Sequence, residues 1–452
     1  VRENYTKQDV IEQSQWLINQ TLRDLIPERE LNEIEQQLAS YGTSRKGFWG
    51  DLIEKYGYGI ENDNLSSADF HRAGIELKST PLVKNNSGTI RAKERLVFSM
   101  INYMTVVDET WETSSFLSKN RLLLVLFYLY SKESNLLDYP IKHFKFLDLL
   151  SDLSESDVLQ IIDDWNHIVG RIKAGEAHLL SEGETAYLGA ATKARNRDDT
   201  RPQPNSDIPA KKRAFSLKQS YLNVLVQQLS GKDTSESLNQ KDAPGKTIRQ
   251  LFDEKIGALV GKNEEELATL FEIDIEMKKP KNLRRLLVNR ALGVRSNKIT
   301  ELIKANMTLK VIKLEESGRL VESISFPVFK YMEIIHQEWE KSDFYKALTE
   351  RSFVFVIFRK QGGTSVLEGF KFWSFPLNDL EETERVWRLS IERIKAGQAD
   401  NLPKIRDSNI AHVRPHARNA ADTLPTPLNG EQVKKCFWLN AKYIENVLGA
   451  VD

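Results

Sequence analysis

The sequence predicts a mixed α/β protein built as two tandem domains, each a central mixed sheet flanked by helices, with the second domain degenerate. Three observations carry this expectation. Helically spaced segments alternate with a few strand-like runs in each half. A long pattern of aromatic and small residues occurs twice, and a polar stretch containing Gly and Pro lies between the two occurrences.

The repeat is specific. FSMINYMTVVDETWETSSF from Phe98 lines up with FPVFKYMEIIHQEWEKSDF from Phe326, pairing Tyr103, Met104, Trp111 and Phe116 with Tyr331, Met332, Trp339 and Phe344 at one constant spacing. RIKAGEA from Arg171 recurs as RIKAGQA from Arg393, each after a tryptophan, Trp165 and Trp387. With 452 residues the chain exceeds one compact core and suits two domains of roughly 200 residues. The expected division is a first domain over 1–229, a linker over 230–246 (SGKDTSESLNQKDAPGK) and a second domain over 247–452.

Composition excludes several classes. Hydrophobic residues at 40% and charged residues at 28% are ordinary for a globular protein. No apolar run approaches the ~20 residues that span a bilayer, and the first residues are polar, so no membrane association and a cytoplasmic location are expected. A single cysteine, Cys436, leaves no internal disulfide and no thiolate metal cluster. Net charge is zero, so any polyanion must be recognised by local clusters.

In chain order, the apolar spacing over 8–40 predicts leading helices. RKGFWGDLIEKY, Arg45 to Tyr56, reads as a helix whose Gly47 and Gly50 permit close approach of another backbone. After the polar turn IENDNLSSADF, the segment AGIELKSTP alternates as a strand, with Ile75 and Leu77 on one face and Glu76 and Lys78 on the other. RLLLVLFYLY, 121–130, is an apolar run suited to a buried central strand, matched by SFVFVIF at 352–358.

The strand carries the candidate chemistry. Its period of two presents a carboxylate and an ammonium together at one edge, and Asp69, from the neighbouring strand, brings a second carboxylate. Asp69, Glu76 and the carbonyl of Leu77 make a hard-oxygen set suited to Mg²⁺, with Lys78 orienting a water or offsetting charge on a phosphate. A solvated strand edge is the alternative. Aligning ADFHRAGIELK (68–78) with TELIKANMTLK (300–310) sets Glu301 opposite Asp69, Thr308 opposite Glu76 and Lys310 opposite Lys78. KGFWGDLIE (46–54) aligns with KNLRRLLVN (281–289), so Glu54 meets Asn289. The joint loss points to one live site and one retired one. Glu54 is either part of the live site or an exposed helix carboxylate. His71 either faces phosphate or is half buried.

From Lys193 to Lys218 the chain carries eight basic and three acidic residues with several prolines, reading as a basic loop that enters a DNA groove or as a solvated surface loop. The DNA-contacting candidates are Lys193, Arg195, Asn196, Lys211, Lys212, Arg213, Ser216 and Lys218. Ala417-Arg418-Asn419 repeats Ala194-Arg195-Asn196, adding Arg414, His416, Arg418 and Asn419 in the second half. His412 and His416 have metal-ligand spacing but no further ligands, and read as polar contacts. No P-loop, dinucleotide fingerprint, HExxH or nucleophile elbow is present.

The motifs KGFWGDLIE, ADFHRAGIELKSTP, LSEGETAYL, ATKARN, SDIPAKKRAFSLKQSYL and HVRPHARN together resemble the MutH family of DNA endonucleases, in particular its two-domain Sau-three-A type of restriction enzyme. The resemblance covers nearly the whole chain outside the linker. It implies two restriction-endonuclease-like α/β domains, duplex DNA containing GATC as substrate, and Mg²⁺-dependent cleavage 5′ of the guanine. By motif, Asp69 and Glu76 hold metal, Lys78 assists the water, and Glu54 and Lys46 complete the site. The second domain of such enzymes lacks the catalytic acids and binds DNA as a regulator. In single-domain members an arginine-proline pair opens the recognition loop; here Ala191-Thr192 stands there, and the pair occurs only at Arg414-Pro415.

The expectation is therefore a Mg²⁺-dependent type II restriction endonuclease acting on double-stranded DNA, with both domains binding DNA. The chain is expected to be a monomer that DNA draws into a dimer. The competing readings are a mismatch-repair nickase working under a partner and a non-catalytic protein with two DNA-binding loops.

Overall fold

The computed structural model describes the chain apart from residues 1–4, 42–46, 61–67, 86–87, 197, 240–243, 276–279, 281, 321–322, 429 and 450–452. In chain order the first half supplies strands β1 (Ile75–Lys84), β2 (Ile90–Ala92), β3 (Leu96–Met100), β4 (Leu122–Leu129), β5 (Ile141–Asp148), β6 (Leu188–Thr192), β7 (Thr200–Gln203), β8 (Ser206–Lys211) and β9 (Arg213–Leu217). They form a mixed sheet ordered β2-β1-β4-β5, an antiparallel sheet β3-β9-β6 and a ribbon β7-β8.

The apolar run is the buried central strand: Leu123 to Phe127 of β4 are all buried. Side chains of such a strand alternate between two cores. Leu124 and Leu126 meet Ile75 and Leu77 of β1 under the N-terminal helices, whereas Leu123, Val125 and Phe127 face a second cluster built on Trp111, Phe116 and Trp165. β1 runs parallel to β4, and β5 antiparallel. A parallel pair requires a long crossover. Residues 85–121 provide it, carrying the helices Tyr103–Val106 and Ser115–Asn120 across one face.

The leading helices are Lys7–Trp16, Leu22–Leu25 and Glu28–Tyr41; capping boxes at Thr6 and Thr21 start the first two. The helix read from Arg45 is α-helical over Phe48–Leu52 and continues as a π-helix over Ile53–Tyr58. Its glycines do not serve close approach. Gly47 has φ +100° and nothing near an added Cβ, so it supplies a left-handed start, while a Cβ on Gly50 would only reach ordinary contact with Ser79 at 3.6 Å.

The second half supplies β10 (Met307–Leu314), β11 (Ile324–Val328), β12 (Ser352–Gln361), β13 (Thr364–Ser374), β14 (Ala411–Pro415), β15 (Thr423–Pro425), β16 (Glu431–Val433) and β17 (Lys435–Leu439). Their sheets are β10-β12-β13, β11-β17-β14 and β15-β16. β10 is parallel to β12, whose residues Ser352 to Phe358 are buried.

The two halves pack closely. One apolar cluster runs from Trp111 and Trp165 through Ile248, Phe252 and Leu287 to Val354 and Phe358. Lys304 pairs with Asp157 at 2.6 Å, Arg95 bridges Glu182 and Glu350, and a Cβ on Gly183 would come within 2.9 Å of the Arg351 carbonyl oxygen. The segment expected as a linker is tied down where it is described. Glu236 bridges to Ile299, and Ser237 and the Leu238 N–H both donate to Glu301, at 2.5 and 2.9 Å.

Candidate active site

The N-terminal end of β1 holds the predicted acids. β2 pairs with β1 only at Leu82 to Lys84, so the outer flank of Glu76–Lys78 has no ladder partner there. Asp69 fills part of that flank. It comes from a tight turn of the same chain, Phe70 bridging to Ile75, rather than from a neighbouring strand, and its Oδ2 accepts the Leu77 N–H at 2.7 Å.

Glu76 is 1% exposed. Its Oε1 accepts from Lys78 Nζ at 2.5 Å and lies 3.7 Å from Lys119 Nζ, while Oε2 is buried without a hydrogen-bond partner among the described residues. A carboxylate buried in this way is costly unless compensated. Burial raises its pKa above the usual carboxylate value, opposed by Lys78, and Asp69 adds to the rise. Glu54, in the π-helical turn, is pushed up to about 7 by burial and then by the nearby charges of Asp69 and Asp51, with Lys78 opposing. The structure thus brings Asp69, Glu76, Lys78 and Glu54 into one electrostatic neighbourhood. Glu54 is part of it rather than a remote exposed carboxylate. π-Helical turns are frequent at functional sites, and this one carries the acid toward β1.

Lys119 joins them, which the sequence reading missed. It lies in the helix Ser115–Asn120, far along the chain from the strand motif, and only the crossover between β1 and β4 brings it to Glu76. Lys46 falls outside the described residues. His71 is exposed.

The donor set suits a hard divalent cation. Among the described residues no group of three or more His, Cys, Asp or Glu surrounds one point. Two carboxylates and the Leu77 carbonyl remain, few enough that such an ion would keep much of its shell as water. Glu76 Oε2, unpartnered among the described residues, could serve as one ligand.

The basic segment folds as a turn, the ribbon β7-β8 and the strand β9 rather than as one loop, and the structure divides its candidate residues. Lys193, Arg195 and Asn196 are exposed at the turn between β6 and β7, where Asn196 Oδ1 accepts the Asp198 and Asp199 N–H groups. Lys212 pairs with Asp199, and Lys211 reaches Glu340 of the second half at 3.2 Å. Arg213, Ser216 and Lys218 are all buried: the first two lie on β9, the middle strand of its sheet, and Lys218 begins the helix Gln219–Leu229 that follows it. Arg213 donates to the carbonyls of Ala190, at 2.7 Å, and Leu180. Lys218 donates to Thr185 and to Ala305 of the second half, and burial pushes its pKa down to about 8. Asp164, pushed up to about 6 by burial, accepts the N–H groups of Ala186, Tyr187 and Leu188 and so fixes LSEGETAYL.

In the second half the same turn recurs. The Arg418 N–H donates to Asp422 at 3.2 Å, as Arg195 donates to Asp199 at 3.0 Å. Arg414, His416, Arg418 and Asn419 are exposed. Arg414 lies 3.7 Å over the Trp438 ring, with His416 at its edge. His412 is instead buried against Asn440 at 2.5 Å, so the two histidines do not converge. At the positions aligned with the acids, Asn289 bonds Asn297, Thr308 lies on β10, and Glu301 is turned into the connecting segment.

A mixed sheet with Glu and Lys at the start of one strand and Asp in the turn before it is the arrangement expected of a nuclease of the restriction-endonuclease type. The family model of the DNA mismatch repair enzyme MutH matches residues 58–161, a range that contains Asp69, Glu76, Lys78 and Lys119. The chain is 30% identical to the type II restriction enzyme Sau3AI of Staphylococcus aureus over 450 residues, covering 88% of this chain and 91% of that enzyme. The chain belongs to this MutH-like family of type II restriction endonucleases and is a site-specific, DNA-binding deoxyribonuclease. No helix among the described residues is long and apolar enough to cross a membrane.

Proposed function

We propose that the chain is a Mg²⁺-dependent type II restriction endonuclease that cuts duplex DNA at GATC, 5′ of the guanine. In this reading residues 1–229 form the catalytic domain and residues 247–452 a second, degenerate domain of the same fold that binds another DNA copy as effector. The observation that carries it is the buried, half-satisfied Glu76 beside Asp69, Lys78 and Glu54, set against Thr308 and Asn289 in the second half. The recurring sheet orders and the recurring Arg-Asn-Asp turn support the tandem reading.

Asp69, Glu76 and the Leu77 carbonyl would hold the ion. When bound, Mg²⁺ supplies Lewis-acid polarisation of the scissile phosphodiester. Lys78 would orient the attacking water from the flank of Glu76, and Lys119 would offset charge growing on the phosphate. Glu54, with its pKa near 7, is suited to exchanging a proton with that water at neutral pH. Lys193, Arg195 and Asn196 would engage the DNA from the turn between β6 and β7, and Arg414, His416, Arg418 and Asn419 from the second half. With one set of acids per chain, cutting both strands takes a DNA-induced dimer or two successive nicks.

Digestion of plasmid with Mg²⁺, followed by sequencing of the ends, tests specificity and cut position together. Ends that do not fall at GATC would remove the substrate assignment. For the effector role, a GATC oligonucleotide should accelerate cutting of a single-site plasmid. No acceleration, with no second duplex bound, would count against it.

A further inference from the structure

The retired site of the second half has changed the sign of its charge. Where the first half sets Gly50 beside β1, the aligned residue is Arg285, and its Nη1 donates at 2.9 Å to the Leu309 carbonyl, the counterpart of the Leu77 carbonyl. Its Nε is held by Asn297 at 2.9 Å, which fixes the guanidinium plane and leaves further N–H donors available. A fixed cation thus stands where the first half is suited to a divalent ion.

Two more cations stand close by. Lys310 occupies the place of Lys78, but Thr308 replaces the carboxylate that Lys78 pairs with, and Arg351 leads into β12 beside β10. Among the described residues neither Lys310 nor Arg351 has a carboxylate partner, although both are half buried. Burial first, then the charges of Arg351 and Arg285, lower the Lys310 pKa, as expected of crowded cations lacking a counterion. Nearby acids are engaged elsewhere: Glu301 with Ser237 and Leu238, Glu350 with Arg95, and Asp343 with Gln337.

We propose that this cluster of cations, where the helix Leu283–Ala291 meets β10, binds a phosphate group, with Arg285, Lys310 and Arg351 as donors. Three positive side chains half removed from water favour a compact anion carrying several acceptor oxygens, and a phosphate matches the forked geometry of arginine. Resting on the reading of the second half as a DNA-binding copy, the phosphate is assigned to a DNA backbone. The position that would hold a cation and phosphodiester in the first half thus becomes, in the second, a clamp that holds the phosphodiester uncut.

Full-length protein in EDTA, where metal-dependent cutting is blocked, provides the test. Wild type, Lys310→Gln and Arg351→Gln are titrated with a duplex oligonucleotide over a salt series, and melted with and without inorganic phosphate at constant ionic strength. Phosphate should raise the melting temperature of wild type and not of either variant. Each variant should bind the second duplex about tenfold more weakly, with a salt slope smaller by about one, and bind the first duplex normally. Variants that match wild type in both measurements would overturn the proposal. Phosphate-dependent melting lost in the variants with duplex binding unchanged would overturn the DNA assignment and leave free phosphate as the ligand. A wild type that takes up no second duplex yet responds to phosphate through Lys310 would defeat the effector reading and retain the anion site.

Discussion

Lys78 donates from Nζ to Oε1 of Glu76 over 2.5 Å, and the other oxygen of that buried carboxylate has no hydrogen-bond partner among the described residues. One half of the carboxylate is satisfied by Lys78 and the other by none of the described residues. Glu76→Ala should abolish cleavage, by on the order of 10³-fold or more, while leaving the melting temperature close to that of wild type. Calorimetric titration with Mn²⁺ should show the ion binding wild type and not the variant. Unimpaired cleavage by Glu76→Ala would refute the assignment.

Lys119 is 3.7 Å from the same oxygen that Lys78 holds, so it acts at longer range. Lys119→Ala should lower kcat by about 10²-fold and Lys78→Ala by about 10²–10³-fold, with DNA binding retained in both. Single-turnover cleavage measured beside binding anisotropy separates this from a lost phosphate contact, which would weaken binding at unchanged kcat.

Glu54 gives a pH signature with a definite sign. Its carboxyl titrates near 7 in the folded, metal-free protein and at an ordinary value when unfolded. The folded state therefore binds the extra proton between those two values, and stability falls as pH rises through that window. Glu54→Gln should flatten this dependence and raise the metal-free melting temperature at pH 8 by about 1–3 °C, with little change at pH 4. A melting series from pH 4 to 8 that is identical in both proteins would exclude a raised Glu54.

Arg213 and Arg195 look alike in sequence but should fail differently. Arg213→Gln removes donors to the Ala190 and Leu180 carbonyls in a buried strand and should cost about 2–4 kcal/mol of stability. Arg195→Gln, at an exposed turn, should leave the melting temperature unchanged and reduce the salt slope of DNA binding by about one. Chemical denaturation paired with salt-dependent binding distinguishes the two.

Much of this molecule was legible because its signals are local or periodic. The run at 121–130 reads as a buried strand from apolar continuity alone, and Glu76 and Lys78 read as neighbours because strand side chains alternate. Asp69 was found by its sequence distance from Glu76, although its route to the site, through a turn of the same chain, was not. The basic segment was read as a uniform surface because charge counts carry no facing. β9 lies in the middle of its sheet, so Arg213 turns inward, and Lys218, at the start of the next helix, is buried too; both cap carbonyls.

The amino-acid sequence by itself determined that the aromatic pattern is repeated, that the acids survive in one copy, and which strand carries them. These depend on residue identity at short spacing. Only the tertiary structure decided that Lys119 belongs beside Glu76, that Glu301 is diverted into the connecting segment, and that Arg285 stands at the carbonyl of Leu309. Each of these is a meeting of segments distant in the chain, set by how helices cross the sheets, and no local pattern of residues encodes that distance.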